Sequence, residues 1–271
     1  MTRRGDASRR LIGVLSAIVA AICLTGCQVA LTTTINVSDN GSGSITVAAV
    51  ADAETVRLAP ELVDAINVDD LRDAGWVVDI QNPSADGGIS VVAKRDFANT
   101  DEATFFLTQL SGKSGPIRDT QLSRTGGTND ATYAFTANSG LPNGLSGFAD
   151  EEALAVLGKI PFDAYLARSG RSLSDALKVS VQVTTPGRIM ETNGEVIPQS
   201  NDDRISTSIW SVPVDGSELL LTTTTRDRDM SAVIASIASR ILLVVIIVFA
   251  AAAVLYLATV IQRRSHSTPA P

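Results

Sequence analysis

The fold is decided by Leu31-Thr32-Thr33-Thr34-Ile35-Asn36-Val37 and by the segment that follows it. Alternate residues of this run, from Leu31 to Val37, place their side chains on one face of a strand, and Ser44–Val50 repeats the alternation. Between the two runs lies Ser38-Asp39-Asn40-Gly41-Ser42-Gly43, whose residue types are those of turns. The segment therefore predicts a β-hairpin that opens a strand-rich domain.

Strands and helices alternate along the rest of the domain. Helices are predicted around Leu62, Val63 and Ile66, over Asp69–Ala74 before Gly75, and after Asn99, which forms a capping box with Glu102. Strands are predicted at Trp76–Ile80, Ile89–Phe97, Ile117–Ser123, Thr132–Ala137, Leu177–Thr185, Arg204–Val212 and Leu219–Thr225, with two more around Asn193-Gly194 and with Trp210 packed inward. Because the strands return through short turns, we expect an α+β domain over residues 27–230, a single antiparallel sheet with about three interleaved helices.

Composition limits the chemistry that this domain can carry. The 271 residues include 22 basic and 29 acidic side chains. Seven of the arginines and one aspartate lie in the terminal segments, which leaves 15 basic and 28 acidic side chains, about −13, between them. That charge argues against nucleic acid as a partner. The only histidine is His266 and the only cysteines are Cys23 and Cys27. The domain therefore lacks the residues for a Ser-His-Asp triad, a cysteine nucleophile, a disulfide or a typical zinc site, and no metal or cofactor is expected.

The N-terminus has the parts of an export signal. Four basic residues are followed by the apolar stretch Leu11–Leu24, which is too short to span about 30 Å of hydrocarbon but is typical of a signal peptide. The basic residues are Arg3, Arg4, Arg9 and Arg10. The stretch ends in Leu24-Thr25-Gly26-Cys27, which resembles the lipobox of bacterial lipoproteins. That resemblance implies a signal peptide over residues 1–26 and a covalent diacylglycerol, carrying palmitate-type chains, on Cys27. The alternative is an ordinary signal sequence in which Cys27 falls by chance.

A second apolar segment lies near the C-terminus. In Ile241–Ile261 only Tyr256 and Thr259 carry polar side-chain atoms. At 1.5 Å per residue this segment covers roughly 31 Å as a helix, enough to cross a bilayer. Arg263 and Arg264 follow at once, as is typical of the cytoplasmic side. We therefore expect a membrane helix over residues 231–262, with its core at 241–261, and a cytoplasmic tail over residues 263–271.

Both anchors are joined closely to the domain. Strand-like sequence begins four residues after Cys27, and the last strand-like run ends at Thr225, shortly before Ile241. The domain is therefore expected to lie against the outer face of the cytoplasmic membrane. We expect Leu31 and Thr225 on the surface that faces the membrane, together with Arg226 and Arg228, and the acidic side chains pointing away from it.

Three polar clusters have residue types that also occur at functional sites. Asp39–Gly43 has residue types of a calcium loop but lacks the glutamate that closes one. Asp150-Glu151-Glu152 stands at the start of a predicted short helix, where carboxylates complement the helix dipole. Thr222–Thr225 is typical of β-propensity. Since no cluster combines a nucleophile, a base and an orienting residue, no catalytic residue is expected.

The order of motifs along the chain resembles the LppM domain family of actinobacterial envelope lipoproteins and membrane proteins. The resemblance covers about residues 27–264 and rests on Asp70-Leu71, Ala74-Gly75-Trp76, Phe97, Leu107–Leu110, Pro186-Gly187-Arg188-Ile189, Asn193-Gly194-Glu195-Val196 and Trp210. It implies a cup-like antiparallel sheet folded around helices, similar to domains that bind hydrophobic ligands. It also implies an envelope lipid or glycolipid as ligand, although it transfers no ligand-contacting residue.

These observations favour a non-enzymatic envelope protein that is anchored twice in the cell membrane and binds an amphiphilic lipid. The alternative is a scaffold that acts through contacts with another membrane protein. A hydrolase or transferase built on carboxylates alone is the third hypothesis. A concave apolar cavity of a few hundred Å³ would favour lipid binding, a solid core would favour the scaffold, and convergent buried carboxylates would favour the enzyme.

Overall fold

The computed structural model describes residues 29–60, 63, 66, 68–111, 115–148, 161–197, 204–228 and 242–243. The predicted signal peptide with Cys27, the short helix predicted at Asp150 and most of the predicted membrane span lie outside these residues. Of the span only Leu242 and Leu243 are described, both helical and exposed. Within the described residues no helix combines the length and the apolar character needed to cross a bilayer.

Strands dominate the domain, as the alternating sequence predicts. The strands are β1 Val29–Val37, β2 Gly43–Ala51, β3 Val77–Gln81, β4 Ile89–Phe97, β5 Ile117–Gly126, β6 Asp130–Gly140, β7 Leu177–Pro186, β8 Arg188–Thr192, β9 Glu195–Ile197, β10 Ile205–Val212 and β11 Glu218–Arg228. The helices are α1 Ala53–Leu58, α2 Asp69–Asp73, α3 Thr100–Ser111, α4 Pro161–Ser169 and α5 Leu173–Ala176, with a 3₁₀ turn at Gly144–Phe148.

Several of these elements were predicted correctly from local sequence patterns. The predicted β1–β2 hairpin forms, with Ile35 opposite Ile45. The capping box also forms, because Asn99 Oδ1 accepts a hydrogen bond from the Glu102 backbone N–H at 2.9 Å and opens α3. Gly75 follows α2 with a φ of +85°, a conformation that glycine adopts without strain. Both hairpin and helix predictions are therefore confirmed at these positions.

The larger sheet has seven strands in the order β3-β4-β2-β1-β7-β10-β9, so that β1 lies at its centre. β1 runs parallel to β7, with Val29 opposite Leu177, and the other neighbouring pairs are antiparallel. Ile35 of β1, Ile45 of β2 and Val181 of β7 point to one face and are fully buried. On the opposite face the outward side chains of β1 and β7 are mostly small and polar, whereas β3, β4 and β9 add charged ones: Asp79, Lys94, Asp96 and Glu195.

The smaller sheet has four strands in the order β5-β6-β11-β8 and packs on the β7–β10 side of the larger sheet. Phe135 of β6 meets Trp210 of β10 there, with ring centroids 6.1 Å apart. Helix α3 lies beside β5 and contacts β2 and β4, where Phe106 and Leu107 enter the same apolar core. The domain is therefore two layers: the larger sheet, and the smaller sheet extended by α3.

The prediction of a single antiparallel sheet was wrong on two points. The strands divide between two sheets, and the central pair β1–β7 is parallel. The strands around Asn193-Gly194 also do not form the expected hairpin, because β8 pairs with β11 in the smaller sheet and β9 pairs with β10 in the larger one. Gly194 allows this crossing, since a Cβ there would lie 2.6 Å from Trp210 Cε2. Trp210 itself is buried, as predicted.

The chain enters and leaves the two-layered domain at opposite poles. The amino pole contains Val29, where β1 begins beside Leu177, and Glu218, where β11 begins beside Gly140. The carboxyl pole contains Arg228, where β11 ends beside Asp130. Since a strand rises about 3.3 Å per residue, the ends of β11 lie roughly 30 Å apart.

This arrangement corrects the expectation that Leu31 and Thr225 share one surface. Leu31 lies opposite Val179, near the start of β7, whereas the Thr225 hydroxyl lies 2.9 Å from that of Thr185, near its end. Arg226 is likewise at the carboxyl pole, where its guanidinium donates two hydrogen bonds of 2.7 Å to Asp130. The error arose because the two ends of a strand-rich chain cannot be placed in space without the sheet order.

Candidate functional site

A cleft of about 540 Å³ opens at the amino pole, on the face of the larger sheet that points away from the smaller one. Outward side chains of three adjacent strands form its floor: Ala30 and Thr32 from β1, Ser180 from β7 and Ser211 from β10. These side chains are short, so the sheet surface is left open here. The cleft has the volume of a small-molecule binding site, which in proteins is typically about 300–1,000 Å³.

Apolar and polar groups both line the cleft. Val179, Val212, Pro213 and Val214 also line the cleft, although the side chains of Val179 and Val212 point to the inner face and belong to the core, and the apolar part of the lining is the larger one. The polar groups include the hydroxyls of Thr32 and Ser180, which lie 3.1 Å apart across the β1–β7 pair. Such a lining suits an amphiphilic ligand, because its chain and its polar group would each find a matching surface.

Two charged side chains stand beside this floor. Lys178 Nζ donates a hydrogen bond of 2.9 Å to the Ser174 carbonyl oxygen of α5. Asp215 accepts hydrogen bonds from the hydroxyl and the backbone N–H of Ser217, and these bonds hold the pKa of the Asp215 carboxyl below its usual range. The cleft is therefore lined by one basic side chain and by one carboxyl group with a lowered pKa.

The cleft residues were not predicted from the sequence. Ala30, Thr32, Ser180 and Ser211 are the outward residues of alternating strands, and such residues are usually just the solvated face of a sheet. The parallel pairing of β1 with β7 joins residues about 150 positions apart in the chain, and no local pattern encodes it. A clue was present in the small size of these outward residues, since short side chains leave room above a sheet.

The predicted lipidation site and its lipobox, Leu24-Thr25-Gly26-Cys27, lie outside the described residues. What the structure adds is the position of their neighbour Val29, two residues after Cys27, which begins the central strand of the larger sheet. Ala30, the next residue, lines the cleft. The predicted acylated residue is thus close in the chain to the cleft floor.

Where the structure describes the polar clusters noted in the sequence, their side chains form hydrogen bonds within the fold. Asn40 Oδ1 accepts hydrogen bonds from the Ser42 backbone N–H and hydroxyl, which close the β1–β2 turn. Thr223 and Thr225 point inward, and their hydroxyls lie 3.1 Å from that of Ser208 and 2.9 Å from that of Thr185. This hydroxyl seam joins the two sheets. Asp150-Glu151-Glu152 lies outside the described residues.

The buried polar side chains of the described residues are threonines and serines, with no carboxylate among them. The convergent buried carboxylates that would favour an enzyme are therefore not found in this part of the chain. Trp210 is 3% exposed and donates from Nε1 to Asn193 Oδ1 at 2.8 Å, so it is not placed to stack on a ligand. Its surroundings are those of a core residue.

Neither a protein-family model nor a curated protein sequence matches the chain. Among solved structures, the chain is similar to the folded domain of LppM from Mycobacterium tuberculosis, determined by NMR. The two share 15% sequence identity with a TM-score of 0.39, over 78% of this chain and 96% of that one. Membership of the LppM domain family stays a prediction from the sequence motifs.

Proposed function

We propose that this protein is a non-enzymatic envelope protein, held in the cytoplasmic membrane by both ends, whose extracytoplasmic domain binds an amphiphilic lipid or glycolipid. The anchors of the proposal are a diacylglycerol on Cys27 and a helix over Ile241–Ile261, with the C-terminus in the cytoplasm. The observation that carries it is the cleft beside β1, whose floor begins three residues after Cys27. A lipid could enter this cleft from the nearby bilayer without crossing much water.

The lining of the cleft supports the choice of ligand. Its apolar residues match an acyl chain, and about 0.8 kcal/mol is gained for each CH₂ group that a chain buries. Lys178 and the floor hydroxyls would serve a phosphate or sugar headgroup. Because most of the floor is made of short side chains, a bulky substitution there should exclude the ligand while the sheet stays intact.

A scaffold that binds another membrane protein is the second candidate. It is favoured by exposed apolar side chains on the neighbouring strands β8, β9 and β10, where Met190 is 65% exposed, with Val196 and Ile205 also exposed. β8 and β9 are edge strands, and their free backbone groups can pair with a further strand. A protein partner would contact this edge rather than the cleft.

Native mass spectrometry of the full chain extracted from its own membranes separates these candidates. We expect a co-purifying lipid in the wild type and its loss in Ser211→Trp, which fills the cleft. Ile209→Trp is the matched control, since Ile209 lies on the same strand and face, two residues away and outside the cleft lining. Equal lipid in wild type and Ser211→Trp would overturn the cleft as the site, and a protein in place of the lipid would favour the scaffold.

A further inference from the structure

The position of β1 restricts how the domain can lie on the membrane, if the chain is anchored as proposed above. A residue spans at most about 3.6 Å of extended chain, so Cys27 can lie no more than roughly 7 Å from Val29. β1 is the central strand of the seven, and each edge of the sheet is three strands, or about 14 Å, away from it. An arrangement with a sheet edge on the bilayer would therefore hold Val29 too far from the lipid.

The limit of roughly 7 Å between Cys27 and Val29 also rules out the smaller sheet as the layer that faces the membrane. Stacked sheets lie about 10 Å apart, and their side chains add several Å more. With the smaller sheet on the bilayer, Val29 would stand beyond the reach of the two-residue connection to Cys27. Two arrangements remain. In one the amino pole points toward the bilayer, and in the other the larger sheet lies parallel to the bilayer with its outer face in contact with it. We define this outer face as the outward side chains of β2, β1, β7 and β10.

The carboxyl pole favours the flat arrangement. With the amino pole toward the bilayer, Arg228 would stand roughly 30 Å above it, and the 13 residues to Ile241 would need about 2.3 Å each, more than a helix provides. With the outer face down, Arg228 is separated from the bilayer by little more than the thickness of the two layers. Thirteen residues reach that distance of about 15–20 Å even in helical conformation.

The distribution of charge favours the same arrangement. The outer face consists of every second residue of β1 from Ala30, of β2 from Ser44, of β7 from Lys178 and of β10 from Ile205. On these four strands, which the structure describes completely, Lys178 is the only charged outward residue. The flanking strands β4, β3 and β9 present Lys94, Asp96, Asp79 and Glu195 on the same side of the sheet, so carboxylates stand at its margins and none at its centre. The amino pole carries Asp52, Asp175, Asp215 and Glu218, of which Glu218 is paired with Arg118 and Asp215 also lines the cleft.

We propose that the outer face of the larger sheet is the surface with which the domain rests on an anionic phospholipid bilayer. The hydroxyls and amides of its four central strands face the headgroups, the carboxylates of the sheet stand only on the flanking strands, and Lys178 adds attraction. The cleft lies on this same face, so its mouth opens toward the lipid. The contact is superficial, because the face holds few large apolar side chains that could insert into the hydrocarbon.

Site-specific fluorescence quenching of the full chain tests this orientation. The processed, acylated chain retains no free thiol, since Cys23 leaves with the signal peptide and Cys27 is modified, so a single introduced cysteine can be labelled. The positions are Gln182 on the outer face, Thr136 on the outward side of the smaller sheet, Asn143 near the amino pole and Asn129 near the carboxyl pole. Vesicles of phosphatidylglycerol and phosphatidylethanolamine carry headgroup nitroxides as quenchers.

We expect the label at Gln182→Cys to be quenched most and that at Thr136→Cys least, with Asn143→Cys and Asn129→Cys quenched to similar extents. Strong quenching at Asn143→Cys with little at Asn129→Cys would show an upright domain and overturn the proposal, while lipid binding in the cleft would stand. Absence of quenching at all four positions would contradict this orientation and the double anchoring together. Lipid in the wild type by mass spectrometry is an independent measurement, so the two failures can be told apart.

A charge substitution gives a second, independent test. Thr34 and Gln182 are register partners on β1 and β7, and Thr34→Glu with Gln182→Glu places two carboxylates on the outer face. We expect quenching at Asn129→Cys to fall by at least about twofold on these anionic vesicles and to recover in high salt. The matched control is Thr136→Glu with Thr222→Glu, register partners on the smaller sheet, which should leave quenching unchanged. Equal effects of the two pairs would overturn the proposal.

Discussion

At the scale of single residues, Asn193 joins three parts of the domain. Its Oδ1 accepts hydrogen bonds from Trp210 Nε1 at 2.8 Å and from the Thr222 backbone N–H at 3.0 Å, and its Nδ2 donates to the Leu220 carbonyl oxygen. One amide group therefore connects the crossing between β8 and β9 to a core tryptophan and to β11. Asparagine fits because its side chain donates and accepts at once.

Asn193→Ala should destabilise the domain by about 1–3 kcal/mol, because the buried Trp210 N–H loses its acceptor. Urea unfolding followed by tryptophan fluorescence measures this change. Asn143→Ala, at an exposed position, is the control and should leave the midpoint where it is. A midpoint for Asn193→Ala equal to that of the wild type would show that the amide network contributes nothing to stability.

Trp210→Ala should cost about 3–5 kcal/mol, since the side chain is buried against Phe135 and its removal leaves a cavity. Trp210→Phe should cost less, because it keeps most of the volume and loses the hydrogen bond to Asn193. Unfolding midpoints of the two variants give the comparison. Unchanged stability in Trp210→Ala, with a lost ligand, would instead assign Trp210 to ligand binding.

Cys27→Ala tests the predicted acylation. The substitution removes the thiol that accepts the diacylglycerol, so the signal should stay uncleaved or be cleaved elsewhere, and radiolabelled palmitate should no longer enter the protein. Ser42→Ala, in the β1–β2 turn, is a control that should be labelled like the wild type. Palmitate in the Cys27→Ala protein would show that the lipid is attached to another residue.

At the scale of elements, the alternation of residues predicted where the strands lie, but it did not predict well which strands pair with each other. The β1–β2 and β5–β6 hairpins followed from turn residues between alternating runs. The assignment of β8 and β9 to different sheets did not, because it depends on contacts that only the folded chain makes. A Cβ at Gly187 would lie 2.2 Å from the Arg226 backbone, so this glycine lets β7 turn into β8 beside β11. The cleft also depends on contacts between strands that are distant in the chain, and for this reason the sequence did not predict it.

The Arg226–Asp130 pair joins β11 to the start of β6 at the carboxyl pole, and it predicts a dependence of stability on pH. Hydrogen bonding from the Arg226 guanidinium, followed by its charge and that of Arg228, lowers the pKa of Asp130 in the folded protein. A lowered folded pKa stabilises the fold above the unfolded value of about 4. The stabilisation is lost as the pH falls through the folded pKa.

Urea unfolding of the wild type and Asp130→Asn between about pH 7 and pH 2.5 measures this contribution. The difference between the two proteins should be constant at neutral pH and should vanish at the acid end. High salt should reduce it at every pH, since both side chains are partly exposed. A difference that grows toward acid pH would contradict the ion pair as its source.

At the scale of the whole molecule, the two proposed anchors predict that either one alone is enough to hold the protein in the membrane. Replacing residues 1–27 with a cleavable export signal that lacks a lipobox should leave the protein in the membrane fraction. Ending the chain after Arg228 should do the same, because the lipid on Cys27 remains. The combination should release the domain to the carbonate-soluble fraction. Release by either change alone would show that the other segment is no anchor.

The placement of the two chain ends also determines how the domain would respond to a pull. Anchors that drift apart in the membrane plane would draw on Val29 and Arg228 along the direction of the strands. The hydrogen bonds of β1 to β2 and β7 lie across that direction, so they would be loaded together in shear rather than opened one after another. With the two anchors as proposed, the domain would be a mechanically stiff link between a lipid and a transmembrane segment, and it would stay folded under lateral tension.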